Sequence, residues 1–373
     1  MPPNTSRLFS TATGGNVMKI LQVIPYFCFG GAETMCENLT YALTQMGHAV
    51  TVVSLYDEQT PIARRMEESG IRIRYLDKKL GLDLSMIPKL MSIMKEEKPD
   101  VVHTHLNVTK YVVPAAKLCG IRRCIHTVHN VAHEEAENSQ QKIVNAISFK
   151  LGWLIPVALS PEVKRTIASF YGLAEDKIPM IYNGVDLHRC LPKTTYELSA
   201  PVQLLHIGRF NHQKNHKGLL DAFLSVLKKQ PDCCLNLLGD GELQEETERY
   251  AAQLGIREKV IFHGSQTDVH TYLHSADVFL LPSNFEGMPM TIIEAMGTGL
   301  PIVATAVGGV PDMLEDNVSG MLVPCEPECV AQAVLQLLEQ KNFREMLGTN
   351  ALLESRKFGA EHMAQRYYDL YTR

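Results

Sequence analysis

This chain of 373 residues has one tryptophan, no run of about 18 apolar residues and no lopsided charge. Without such a run, no membrane-spanning helix is expected. A net charge of −5, from 36 Lys+Arg against 41 Asp+Glu, speaks against a broad nucleic-acid surface. The nine cysteines are odd in number and lack a zinc-type spacing. Cys233 and Cys234 sit side by side in an apolar run and read as core thiols, which fits a reducing cytoplasm. Several catalytic signatures are missing too. There is no Gly-x-Gly-x-x-Gly, no Gly-Lys-Ser/Thr phosphate loop, no Gly-x-Ser-x-Gly elbow and no zinc-protease motif around His129 and His133. Hydride transfer, serine-hydrolase chemistry and zinc hydrolysis therefore have no anchor. Residues 1–17 are polar and rich in Ser, Thr and Gly. They lack the apolar core of a secretory signal and are expected to form a disordered leader, with Met18 as the alternative natural start.

What is present is alternation. Compact apolar runs predict strands over 19–24, 49–55, 71–76, 101–105, 124–129, 155–159 and 178–182. Helical spacing predicts helices between them, among them 31–46, 85–97, 139–152 and 161–171. Residues 187–200, with Pro192 inside and Pro201 just beyond, read as a linker. A second series follows, with strands over 202–207, 234–238, 260–263, 278–281, 301–304 and 320–323. This βα alternation predicts an α/β protein of two Rossmann-like, doubly wound parallel sheets. Their domains would cover 18–186 and 201–355. Two such sheets facing one another leave a cleft at their strand C-termini, where ligands bind.

One stretch, residues 284–297, stands out. It reads strand, glycine turn, Pro289 at the first helical position, then a short helix ending at Gly297 and Gly299. Glu286 falls in the loop and Glu294 in the helix. A helix N-terminus with free N–H groups suits a phosphate, and carboxylates accept hydrogen bonds from sugar hydroxyls. Gly208 and Arg209 follow strand 202–207, with Lys214 five residues beyond Arg209. Both cations can reach a diphosphate, or they form a solvated basic loop. Gly239 and Gly241 permit close backbone approach to a ligand, or serve turn chemistry with Asp240 as a helix cap. Gly30 and Gly31 open a helix after the first strand; they pack strand against helix or turn their amides to a phosphate. His103 and His105 share one strand face and are candidates for packing, whereas His129 ends its strand where the cleft would lie.

Taken together these segments resemble the retaining glycosyltransferases of family 4, with the GT-B fold. The stretch NFEGMPMTIIEAMGTGLPIVATAVGGVPD carries the Glu–seven residues–Glu pattern at Glu286 and Glu294. GRFNHQKNHKG is similar to the family's Gly-Arg…Lys clamp, LLGDGEL to its next strand–turn, and FHGSQTDVHTYLHSADVFLLPS to its lead-in. FGGAE and YNGVD match in the first half, so the resemblance spans residues 19 to about 370. It implies a C-terminal domain that binds a nucleoside-diphosphate sugar and an N-terminal domain that binds the acceptor. The last helix, about 356–373, would pack back on the N-terminal domain.

Within that resemblance Glu286, Arg209, Lys214 and His129 are the catalytic candidates. Gly30, Gly31, Gly208, Gly239, His263, Gly287, Met288, Pro289, Met290 and Glu294 are the donor-binding candidates. Arg209 and Lys214 would hold the diphosphate, Glu294 the ribose hydroxyls, and Glu286 the donor sugar. The resemblance implies no metal and no cofactor beyond the substrate; a UDP-sugar is favoured over GDP-mannose as donor. The acceptor would be a hydroxyl of a glycan or lipid-linked molecule in cell-surface polysaccharide or glycoconjugate synthesis. The place of action would be the cytoplasm, with peripheral contact at the inner membrane face an option for the Lys78–Lys98 segment. Front-face attack is the expected route, since no carboxylate of the first half stands out as a nucleophile. The rival reading is a nonhydrolysing sugar-nucleotide epimerase or another GT-B enzyme.

Overall fold

The run Lys19–Ile24 forms β1, apolar except for Lys19 and Gln22 and buried over all but its first residue. It pairs in parallel with β2 (Ala49–Ser54) on one side and β4 (Val101–His105) on the other. With β3 (Arg72–Tyr75), β5 (Cys124–Val128) and β6 (Ile155–Ala158) they make a six-stranded sheet of order β3-β2-β1-β4-β5-β6. The second half repeats the pattern with β7 (Val202–Ile207), β8 (Cys233–Leu238), β9 (Val260–Gly264), β10 (Val278–Leu281), β11 (Ile302–Thr305) and β12 (Met321–Val323). Its order is β12-β11-β10-β7-β8-β9, the same winding. In this computed structural model residues 17–27, 30–57, 60–136 and 139–373 are described. The expected leader, apart from Val17, and the tip of the loop at 25–29 fall outside them.

Both sheets reverse direction beside their first strand, between β1 and β4 and between β7 and β10. The ligand-binding crevice at the strand C-termini opens at that point in each. Parallel sheets covered on both faces need near-continuous apolar strands; β10 obeys this fully and β11 up to its last residue, Thr305. In contrast β4 and β5 bury His103, His105, His126 and Thr127. Each of these polar groups has a hydrogen-bond partner, which is the condition for such burial.

Segment 178–182 does not extend the first sheet. Met180 makes a single bridge to Ala158, closed by Ala158 N–H to the Pro179 oxygen and Ile181 N–H to the Ala158 oxygen, both 2.9 Å. Pro179 has no N–H to give, so pairing stops at the sheet's edge. Pro289 is likewise not the first helical residue. With ψ at 120° it is the N-cap, and the helix runs Met290–Thr298 before Gly299 turns left-handed at φ 68°. The linker is fastened to the second unit: the Arg344 guanidinium donates to the Tyr196 carbonyl and Tyr196 Oη to the Gly299 carbonyl.

The helix Ala360–Thr372 returns to the first unit, packing on Gly31–Gln45. Tyr371 Oη lies 2.7 Å from His103 Nδ1, and Tyr367 Oη 2.7 Å from Thr127 Oγ1. One apolar cluster runs across the whole junction. It joins Met35 and Leu39 of the first unit, Met288 and Ile292 of the second, and Met363 and Tyr367 of the terminal helix.

Candidate active site

Between the two crevices lies a cavity of about 520 Å³. On the second sheet's side it is built from the ends of β7 and β10. The chain leaves β7 through Gly208, and Gly239 crosses it so closely that a Cβ there would sit 2.1 Å from the Gly208 oxygen. Gly241, at φ 148°, meets the Phe210 oxygen in the same way. What these glycines approach is backbone, which lets two strand ends lie side by side at the cavity wall.

Asn211 then caps a short turn, His212–Lys214, by accepting from Lys214 N–H at 3.2 Å. The turn carries the Lys214 side chain back over the strand end. Its Nζ stands 2.6 Å from Glu286 Oε1. Ser283 Oγ donates to the same oxygen at 2.6 Å and Gln213 Nε2 to the other at 3.1 Å. A buried carboxylate held by one cation and two neutral donors is satisfied as an anion. Arg209 lines the cavity nearby and is exposed.

After Glu286 the chain is squeezed. A Cβ on Gly287 would lie 2.2 Å from the His129 oxygen of the first unit, and one on Gly308 would lie 1.7 Å from the Glu286 oxygen. Gly309 N–H donates to the Gly287 oxygen at 3.0 Å. The helix N-terminus at Met290 opens on the cavity, and its dipole favours an anion there. Two buried oxygens of the cavity lining, Asn183 Oδ1 and Thr291 Oγ1, have no hydrogen-bond partner among the described residues. One turn into the helix, burial pushes the Glu294 carboxyl up to about 7, although the Arg189 and Arg65 guanidiniums draw it down.

The first sheet supplies the opposite wall. Gly30 N-caps the helix Gly31–Gln45, and Gly31 faces Met290 across the cleft, where a Cβ would meet Met290 Cγ at 3.7 Å. His129 lines the cavity at the end of β5, its Nε2 3.0 Å from His105 Nδ1. Burial lowers its pKa to about 4. The Glu135 carboxylate accepts from the His129 and Asn130 amides and pairs with His126 Nε2 at 3.1 Å, which fixes this strand end. The helix Pro61–Glu68 adds Arg65, ion-paired with Glu37 and donating to the Thr267 carbonyl of the second unit at 3.2 Å. Among the described residues no group of three or more His, Cys, Asp or Glu side chains could hold a metal.

Two family profiles divide the chain between them. Residues 29–189 match "Glycosyltransferase Family 4" and residues 197–353 match "Glycosyl transferases group 1". The chain belongs to these glycosyltransferases. An uncharacterised glycosyltransferase of Methanocaldococcus jannaschii is 26% identical over 95% of this chain and 98% of its own. The UDP-Gal:alpha-D-GlcNAc-diphosphoundecaprenol alpha-1,3-galactosyltransferase of Escherichia coli is 29% identical, covering 72% of this chain and 77% of its own. Among solved structures, Anabaena HepE in complex with UDP and glucose has the same fold, with a TM-score of 0.82. It is 19% identical, over 95% of this chain and 99% of that one. The chain is a glycosyltransferase with the GT-B fold.

In this glycosyltransferase all but one of the site residues picked out from sequence line this cavity. The exception is His263. Its Nε2 is 2.8 Å from Asn236 Oδ1 and its ring stands edge-on to Tyr272. The chain reaches the cavity two residues later, at Ser265, because β9 runs on to Gly264 before turning. Arg65, Arg189 and Gln213 also line the cavity, without a signal in the sequence; Glu37 pairs with Arg65. Asn183 lay inside the YNGVD segment and was readable there; its Nδ2 donates to the Met288 carbonyl at 2.8 Å, joining the two units.

Proposed function

We propose that this glycosyltransferase moves a hexosyl or N-acetylhexosaminyl group from a UDP-sugar to a hydroxyl of a lipid-linked or glycan acceptor, with retention at the anomeric carbon. The observation that carries this is the convergence of Lys214, Glu286, Arg209 and a helix N-terminus at one switch point, facing His129 and Gly30–Gly31 at the other. Arg209 and Lys214 bind the diphosphate and stabilise the charge that develops as it leaves. Glu294 accepts from the ribose hydroxyls, and the Glu286 loop orients the transferred sugar. These cations and the helix dipole supply positive charge from the protein itself, which supports a reaction that needs no metal. EDTA then leaves turnover unchanged.

Four carboxylates of the first unit, Glu33, Glu134, Glu135 and Asp186, line the cavity among the described residues. Glu135 is engaged by backbone amides and Asp186 by the His188 N–H. Front-face attack, which asks no nucleophile of them, is the route proposed. The acceptor hydroxyl approaches on the side of the departing diphosphate, whose oxygen takes its proton, while the protein positions both and excludes water. The UDP-Gal-dependent activity in the Escherichia coli relative's name supports the donor and a diphosphoundecaprenol-type acceptor. A panel of UDP-sugars with a short-chain polyprenyl-diphosphate sugar tests the reading, with the product's anomeric configuration read by NMR. An inverted product overturns retention, and isomerised donor without transfer overturns the transferase assignment in favour of an epimerase.

A lipid-linked acceptor needs a membrane-facing surface. In segment 78–98 the helix buries Met86, Leu90, Ile93 and Met94, while Leu80, Leu82 and Leu84 before it are exposed. The helix Ser139–Lys150 exposes a longer stripe, Ile143 and Ile147, continued by exposed Leu151 and Trp153. Lys142 and Lys150 flank the stripe, Lys117 Nζ lies 5.1 Å from the Trp153 ring centre, and no acidic residue occurs from Ser139 to Pro161. That combination suits an anionic bilayer at the inner membrane face, approached from the cytoplasm. Trp153 is the chain's one tryptophan, so its fluorescence should shift to the blue on phosphatidylglycerol vesicles. No shift, or no loss of sedimentation in Ile147→Glu, removes this surface. No described helix is long and apolar enough to cross a membrane.

A further inference from the structure

His129 ends a chain of buried side chains whose hydrogen-bond geometry decides where each proton sits. The chain starts at Thr40, in the helix Gly31–Gln45. Thr40 Oγ1 is 2.7 Å from the Cys36 carbonyl oxygen. A carbonyl has no proton to give, so the Thr40 hydroxyl donates there, and its oxygen must accept from the group on its other side. That group is the Gln22 amide nitrogen, at 2.7 Å. The orientation of the Gln22 amide is thereby settled by its surroundings. Its oxygen points the opposite way, 3.0 Å from His105 Nε2 and 3.4 Å from the Cys36 thiol.

An amide oxygen only accepts, so His105 Nε2 carries the hydrogen. Complete burial keeps His105 neutral, its pKa well below the usual range. A neutral imidazole has one N–H, so His105 Nδ1 is bare. It faces His129 Nε2 at 3.0 Å and must accept from it. His129 is held neutral by burial as well, and its second nitrogen, Nδ1, is therefore bare too. No described side chain donates to that Nδ1; the cavity is what His129 lines.

We infer that Thr40, Gln22 and His105 fix His129 in the Nε2–H tautomer, so that its Nδ1 lone pair accepts a hydrogen bond from a hydroxyl of the transferred sugar. This rests on the proposed transferase reading. Gln22, His105 and Thr40 are positioning residues: they act through His129, two of them from the inner face of the first helix and first strand. The consequence is selectivity by proton polarity. A sugar hydroxyl, which can donate, fits against Nδ1. A carboxylate or carbonyl oxygen there would oppose lone pair to lone pair.

The test uses the full chain with labelled histidine and long-range nitrogen–proton NMR. The wild-type protein should show His129 with a bare Nδ1 and a protonated Nε2, in the absence of any substrate. Finding the Nδ1–H form overturns the inference, whatever the enzyme's activity. In Gln22→Met the acceptor for His105 is gone, and His129 should become a mixture of tautomers. Gln22→Glu, whose neutral carboxyl can donate to Thr40 and accept from His105, should restore the single form. A Gln22→Met protein that keeps the wild-type tautomer overturns the relay.

UDP alone should bind wild type and Gln22→Met equally, which shows that the fold and the nucleotide site are intact. With monodeoxy analogues of the donor sugar, one analogue should lose about tenfold in kcat/KM on wild type and little on Gln22→Met, since one positioned hydrogen bond is at stake. If every analogue loses the same factor on both proteins, the hydroxyl contact is overturned. If no UDP-sugar is transferred at all, the proposed function fails while the tautomer result still stands or falls by NMR.

Discussion

Lys214 Nζ and Glu286 Oε1 stand 2.6 Å apart with their side chains 14% and 4% exposed. The cation and the carboxylate come from the two loops that flank one switch point, so each holds the other in place before any substrate arrives. On the proposed reading, a diphosphate entering the site would share Lys214 with Glu286 and would not meet an unscreened carboxylate.

Removing one partner strands the other. Lys214→Met leaves Glu286 buried with only Ser283 and Gln213 as donors, and should cost about 3 kcal/mol in urea unfolding. Glu286→Gln keeps most of the hydrogen bonds and should unfold near the wild-type midpoint, yet lower transfer roughly a hundredfold, the scale of one positioned electrostatic contact. Calorimetry with UDP should find its affinity nearly unchanged in Glu286→Gln and weakened in Arg209→Ala. Full turnover by Arg209→Ala would show that the clamp is elsewhere.

Gly287 is where the two units touch backbone to backbone. Gly287→Ala places a methyl 2.2 Å from the His129 oxygen, and both neighbours are main chain that cannot step aside. The expected result is a protein with wild-type secondary structure by circular dichroism, a larger radius of gyration by small-angle scattering, and transfer below detection. An unchanged radius with normal turnover would show that the active form holds these units further apart.

Glu294 should leave a mark on the pH dependence of stability. Burial raises its folded-state pKa to about 7. Between the unfolded value, near 4.5, and that figure the folded chain holds a proton the unfolded chain has released. Stability from this group is therefore highest below about pH 4.5 and declines as pH rises to about 7, by up to about 3 kcal/mol. Urea midpoints at pH 5, 6 and 7.5 should show that slope reduced in Glu294→Gln.

The Glu37 side chain is 1% exposed and pairs with Arg65. Arg65→Leu should destabilise by about 3 kcal/mol because the carboxylate is stranded, and Arg65→Leu with Glu37→Leu should recover most of that. The comparison is made by denaturant midpoint. A single variant as stable as wild type would mean that the buried pair adds nothing.

Much of this was legible because a doubly covered parallel sheet writes itself as apolar runs, and β1, β7 and β10 are such runs. Segment 178–182 looked the same, yet Pro179 withholds the one donor a further strand needs. Glycines and charges at strand ends marked the cleft for the same reason, but they mark the end of a strand only to within a residue or two, which is where His263 went astray. Pairings across distance left no trace in the sequence. Nothing local joins Lys214 to Glu286 over 72 residues, or Arg65 to Thr267 over 202. Nor does spacing reveal that His105 stands behind His129; strand alternation gave their faces, and only packing gave their order.

The helix Ala360–Thr372 buries Met363, Ala364, Tyr367, Leu370 and Tyr371 against the first unit. For a chain that emerges from the ribosome in order, this has a cost in time. The second unit can finish folding while the first still lacks a wall, with the His103 and Thr127 side chains awaiting tyrosines not yet synthesised. The half that is made first is completed last.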